Sequence, residues 1–202
     1  GLLTVSSHAF LHAHPVISID ASRNLSTLIV KRAVRVTIAA KSAAHVGYLG
    51  LSQIRKSAHL SGNMRIDHLA LSGHIILRAT GNFTLKKWTQ FHGTAQVEMH
   101  QLHARTLRFI IMGHSRYTLS GDVHHLQADL FQRAQLIAPK LYIKKALIKA
   151  QGNSFAKVLV ANTLFAYTAQ KGRIDYFGHP KTLYRRTMQR SAILPVGSLP
   201  AL

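Results

Sequence analysis

Apolar and polar residues alternate in short runs along most of the chain, and the runs return at a nearly constant pitch. Ala95, Val97 and Met99 make one such run, followed by Tyr117 and Leu119, then Leu136 and Ala138. Ala156, Val158 and Val160 continue the series, and Ile174 with Tyr176 closes it. A second series interleaves with the first: Leu107, Phe109 and Ile111; Leu126, Ala128 and Leu130; Ala146, Ile148 and Ala150; Leu164 and Ala166. Period two is the signature of a strand with one buried face, and the gaps are too short for helices of about ten residues. Gly73, Gly93 and Gly113 keep the same time at intervals of twenty, Arg133 stands at the next step, and Gly152 and Gly172 follow. One unit of about twenty residues offers two or three strands and cannot bury its apolar stripe alone; stacked units can. The pattern predicts an all-β chain wound as a parallel β-helix, a solenoid with about 20 residues per coil. At a rung spacing of about 4.8 Å, seven to nine rungs would run roughly 35–45 Å. A leucine-rich repeat would need a recurring LxxLxLxxN, and an antiparallel sandwich leaves the constant pitch unexplained.

The first third is less regular. Ile17 and Ile19 form a short alternating strand, Leu28 to Ala33 another, and Val34, Val36 and Ile38 a third, before a polar stretch from Lys41 to His45. Leu60-Ser61-Gly62 and Leu71-Ser72-Gly73 echo Leu119-Ser120-Gly121, which starts the regular ladder near residue 60 or earlier. The chain therefore reads as one solenoid domain, 1–202. Residues 1–60 form irregular N-terminal coils or a cap, 60–194 the regular coils, and 195–202 a loose tail.

Composition narrows the chemistry. The 202 residues include 26 Lys+Arg against 6 Asp+Glu, a formal charge of +20, and 47% are hydrophobic. That hydrophobic share excludes a disordered chain, and no uninterrupted apolar run is long enough for a transmembrane helix. The absence of cysteine removes disulfides, thiol catalysis and thiolate metal sites together. The six acids are Asp20, Asp67, Glu98, Asp122, Asp129 and Asp175, with no close carboxylate pair of the kind glycosidases use. Three histidine groups are candidate metal ligands: His12 with His14 on a strand face, His100 with His103 on a helical face, and Asp122 with His124 and His125. None has the spacing of a ligand set, and surface histidines are the commoner explanation. No nucleophile elbow, phosphate loop or dinucleotide fingerprint occurs. The sequence thus assigns no catalytic residue, no metal and no cofactor.

The opening block Phe10 to Asp20, with its His14-Pro15 corner, and the closing Gly172-Arg-Ile-Asp-Tyr-Phe-Gly-His-Pro-Lys181 carry a likeness to a known family. With the Leu-Ser-Gly steps between them, the layout resembles the auto-transporter adhesin, head GIN domain family over roughly residues 8–195. Several corner glycines of that family are His, Arg or Asn here. The resemblance implies a right-handed parallel β-helix exported to the periplasm, the outer membrane or the cell surface, with no catalytic residues to carry over.

Recurrent cations give the functional expectation. Residues one rung apart lie above one another on a solenoid, so Lys140, Lys144, Lys145, Lys149 and Lys157, with Arg185 and Arg186, are the candidate polyanion-binding set. Acidic polysaccharide and lipopolysaccharide are the expected partners, along with other linear polyanions. Helix-turn-helix, finger and aromatic RNP patterns are absent, which argues against sequence-specific nucleic-acid reading. Tyr142, Tyr167, Tyr176 and Phe177 read as stacked core or corner aromatics. The opposing explanation is that high charge only keeps a β-rich chain soluble and its edges apart. Two functions follow: a non-enzymatic envelope module, adhesive or scaffolding, able to self-associate, or a polysaccharide lyase or hydrolase on the same fold.

Overall fold

The computed structural model describes residues 2–6, 16–20, 24–91 and 94–197. The block Phe10 to Pro15, with His12 and His14, lies outside the described residues. The chain is all-β and forms a solenoid of about 9 turns with rungs ~19 residues apart. Its strands are β1 (Leu2–Ser6), β2 (Val16–Asp20), β3 (Leu25–Lys31), β4 (Arg35–Ser52), β5 (Ser57–Ser72), β6 (Ile75–Thr80) and β7 (Phe83–Phe91). They continue as β8 (Ala95–Ile111), β9 (Arg116–Leu130), β10 (Gln135–Gly152), β11 (Phe155–Gln170), β12 (Arg173–Phe177), β13 (Thr182–Thr187) and β14 (Ala192–Pro195). Among the described residues every pairing is parallel and joins a rung to the next. No helix long and apolar enough to cross a membrane occurs among the described residues.

The long strands bend through two corners. In β8 the buried positions are Ala95, Val97 and Met99, then Leu102 and Ala104, then Leu107, Phe109 and Ile111. Alternation breaks where two outward residues follow one another, at His100–Gln101 and Arg105–Thr106. Each break reverses the phase, keeps the next apolar residue facing inward, and marks a corner between two sides. A third turn closes each coil. The units of two or three short strands expected from the sequence are thus three sides of one coil, called here the first, second and third.

Inward residues stack in columns. On the first side, Ile17, Val36, Ala58, Leu77, Val97, Tyr117, Leu136, Ala156, Ile174 and Ile193 follow one another by register. Burying one Leu or Ile side chain stabilises by about 1.5–3 kcal/mol, and each rung adds several to one continuous core. Parallel pairing is already continuous through β2, β3 and β4, so residues 35–52 are built like the coils after residue 60.

The turn that closes the third side needs a left-handed residue on most rungs, and glycine is only part of the supply. Positive φ recurs at Arg32, Gln53, Gly73, Gly113, Gln132, Gly152, Gln170 and Gln189. Where the twenty-residue count lands on Arg133, the left-handed residue is Gln132, one position earlier. Leu60-Ser61-Gly62 and Leu119-Ser120-Gly121 turn the corner between the first and second sides, whereas Leu71-Ser72-Gly73 ends a third side. One tripeptide thus serves two corners.

Candidate functional site

The coils present their chemistry outward, where side chains of consecutive rungs also form columns. At the corner between the second and third sides, Thr106, His125, Lys145, Thr163 and Thr182 follow one another. The residue before each is Arg105, His124, Lys144, Asn162 or Lys181, all but Asn162 exposed. His124 and His125 meet edge to face, 6.0 Å between ring centroids. Two residues along the third side runs the middle column, Lys87, Arg108, Gln127, Leu147, Phe165 and Tyr184. Two residues further comes Ile110, Asp129, Lys149, Tyr167 and Arg186.

The upper third side is therefore an apolar strip between two cationic borders. Leu147, Phe165 and Tyr184 form the strip; Lys144, Lys145 and Lys181 stand on one border, Lys149 and Arg186 on the other. The Phe165 and Tyr184 rings lie parallel, 4.8 Å between centroids and 2° between planes. The Tyr167 hydroxyl donates to the Met188 sulfur at 3.1 Å, which fixes Tyr167 beside the strip.

Of the seven candidate cations, the fold brings four to this side: Lys144, Lys145, Lys149 and Arg186. Lys140 follows Ser120 at the corner between the first and second sides. Lys157 faces outward on the first side, with its ammonium 5.2 Å from the centre of the Phe177 ring. Arg185 follows Ala166 in an inward column and is exposed, since no described strand stacks beyond β13. The cause of the scatter is local. A register shift between Ala138 and Tyr142 shortens the step, and one between Ile143 and Lys145 restores part of it, so Lys145 meets Thr163 rather than residue 165.

All six carboxylates are held by cations or histidines. Asp20 meets Lys41 at 2.7 Å, Glu98 meets His100 at 3.1 Å and Arg78 at 3.9 Å, and Asp122 bonds His103. Asp67 lies 2.9 Å from Lys86, 3.0 Å from His45 and 3.5 Å from Arg65. The Lys86 ammonium lowers its pKa from 3.8 to about 2, with burial opposing and His45 assisting. Burial, then the Lys87 charge, lowers the pKa of His68, one rung below in the middle column. Asp175 accepts from Arg173 Nε at 2.8 Å and Nη2 at 2.9 Å, and Asp129 lies 3.9 Å from Lys149. Among the described residues, Lys144, Lys145, Lys181 and Arg186 have no carboxylate partner.

The histidine groups resolve into separate roles. His100 and His103 flank the Gln101 corner rather than sharing a helix, and Asp122 binds His103 instead of His124 or His125. No group of three or more potential ligands among the described residues is arranged to hold a metal ion. Tyr176 and Phe177 are buried, as expected of core aromatics, but Tyr142 points out of the second side. Its register partners there are Asp122 and Leu159. The break before it, at Pro139–Lys140, sets that phase, and simple alternation counted from Leu136 misses the break. The aromatic pair was missed as well. Phe165 and Tyr184 are nineteen residues apart, so only the register joins them.

Among known proteins, a family model described as Putative auto-transporter adhesin, head GIN domain matches residues 53–180. The match takes in the coils from β5 to β12 and most of the closing Gly172–Lys181 segment, and ends before β13. The search of curated proteins finds no match.

Proposed function

Since the chain belongs to the auto-transporter adhesin, head GIN domain family, we propose that it is a non-enzymatic exported module. It adheres to a linear polyanion through the third side of its solenoid. The observation that carries this reading is the set of cations without carboxylate partners, Lys144, Lys145, Lys181 and Arg186, at the edges of one side. On a protein whose acids are all held by cations or histidines, such a set leaves a local positive potential that attracts anionic polymer over the range of the Debye length. Acidic polysaccharide and the phosphates of lipopolysaccharide both fit it. The family description supports export, to the periplasm, the outer membrane or the cell surface.

Retention on a heparin matrix, read against salt, tests the adhesive half. Wild-type protein should elute well after a neutral protein of similar size, and Lys144→Glu/Lys145→Glu should elute earlier, with a salt slope lower by about two. Coelution of the wild type with the neutral control would overturn the proposal. The non-enzymatic half is tested by incubating the protein with acidic glycans and following the absorbance of unsaturated products. Turnover there would make the module a lyase.

A further inference from the structure

The middle column of the third side changes character along the solenoid. It carries Lys87, Arg108 and Gln127 on the earlier rungs and Leu147, Phe165 and Tyr184 on the later ones. The position therefore accommodates polar side chains, and the fold does not require aromatic ones. Yet Phe165 is 43% exposed and Tyr184 59% exposed, in a strip whose borders are cationic. Stacked aromatic surface open to water is a feature of ligand contact more than of stability.

Their geometry limits what can bind. The Phe165 and Tyr184 rings are parallel and face each other, so Phe165 takes one face of Tyr184 and leaves the other. β13 pairs only with β11 among the described strands, and no described strand covers that face. A single-stranded nucleic acid gains affinity by stacking successive bases on several separate ring faces. One free ring face, with charge on both sides, suits a pyranose better: its CH-rich face packs on the ring, and its equatorial rim carries the charge.

We infer that the polymer is an acidic polysaccharide, bearing uronate or sulfate groups, which stacks one sugar on Tyr184. Phe165 backs that ring, and Arg186 and Lys181, on the same rung as Tyr184, contact the acidic groups. The inference rests on the polyanion reading above and names its ligand class. Tyr184 and Arg186 lie beyond the stretch that the family model matches, so the subsite is not carried by that match.

Titration calorimetry of the whole chain tests it with three probes: oligogalacturonate, its neutral methyl ester, and oligothymidylate of similar length. Tyr184→Ala should weaken oligogalacturonate binding by about tenfold, the loss of one ring stack. Tyr184→Phe should bind as wild type, and the ester should bind far more weakly than the acid. Melting curves of the variants should overlay, since Tyr184 is exposed. If Tyr184→Ala binds like wild type while Lys144→Glu/Lys145→Glu loses affinity, the sugar platform is wrong and the polyanion reading stands. Oligothymidylate binding as tight as oligogalacturonate, and equally sensitive to Tyr184, would replace the glycan with nucleic acid. Indifference of wild type and both variants to every probe would remove both readings.

Discussion

Residues 1–130 carry fourteen Lys+Arg and five carboxylates, whereas residues 131–202 carry twelve Lys+Arg and the single acid Asp175. The backbone is the same in both regions: parallel rungs, three sides, and columns of inward aliphatic residues. They differ in what the outward columns do with charge. Before residue 131, Asp67, Glu98 and Asp122 are each approached by a Lys, Arg or His on the neighbouring rung. After it, Arg173 holds Asp175, and the cations of the third side stand beside aromatic rings instead. A solenoid decouples its outward chemistry from its core, so one fold can run a middle that holds five of the six acids into an end that holds one.

The largest expected effect tests whether the two regions share one coil. Gly121 has φ +127 and Gly178 φ +90, and a Cβ on either would press into the carbonyl oxygen of the rung below, Leu102 or Val160. Gly121→Ala and Gly178→Ala should each cost at least about 2 kcal/mol by urea denaturation. A large cost in the middle and none at the end would show that the last coils do not share this corner.

Next comes the acid of the charge-rich end. Asp175 is buried and accepts two bonds from Arg173, so Asp175→Ala should destabilise by about 1–3 kcal/mol. Glu98→Ala, in an exposed pair, should cost only a few tenths of a kcal/mol. Equal costs would erase the distinction between a single buried pair and several exposed ones.

Lysine removal should then give opposite signs. Lys86→Gln takes a cation from Asp67 and should lower the melting temperature slightly. Lys145→Gln removes like-charge repulsion and should raise it at low salt, with the gain fading as salt screens it. The same sign for both would mean that the two regions are electrostatically alike.

The smallest effect is acid titration of the middle. Because the folded pKa of Asp67 lies below its ordinary 3.8, its contribution is complete above that value and is lost as pH falls toward about 2. Asp67→Asn should flatten the acid limb of a stability–pH curve over that interval. An unchanged limb would show that Lys86 and His45 do not hold this carboxylate.

The core was readable because inward residues obey period two: Val97, Met99, Phe109 and Ile111 lie where alternation puts them. The pitch was readable from the glycines, but not the whole corner. Gln53, Gln132 and Gln170 turn with positive φ, and glutamine gives no such warning in a sequence. The site was readable as composition and not as shape. Clustering in sequence found Lys144, Lys145 and Lys149, yet Lys157, nearby in the chain, faces another side. Phe165 and Tyr184 became neighbours only through the register of β11 with β13. Column membership depends on corner slips of one to three residues, and no local pattern reports them.

The steady pitch of ~19 residues per turn makes the molecule a ruler. Duplicating or deleting one coil would change its length by a single graduation. If the third side binds a polymer as proposed above, that surface can be lengthened in whole increments, and avidity for a long chain would rise with each increment added.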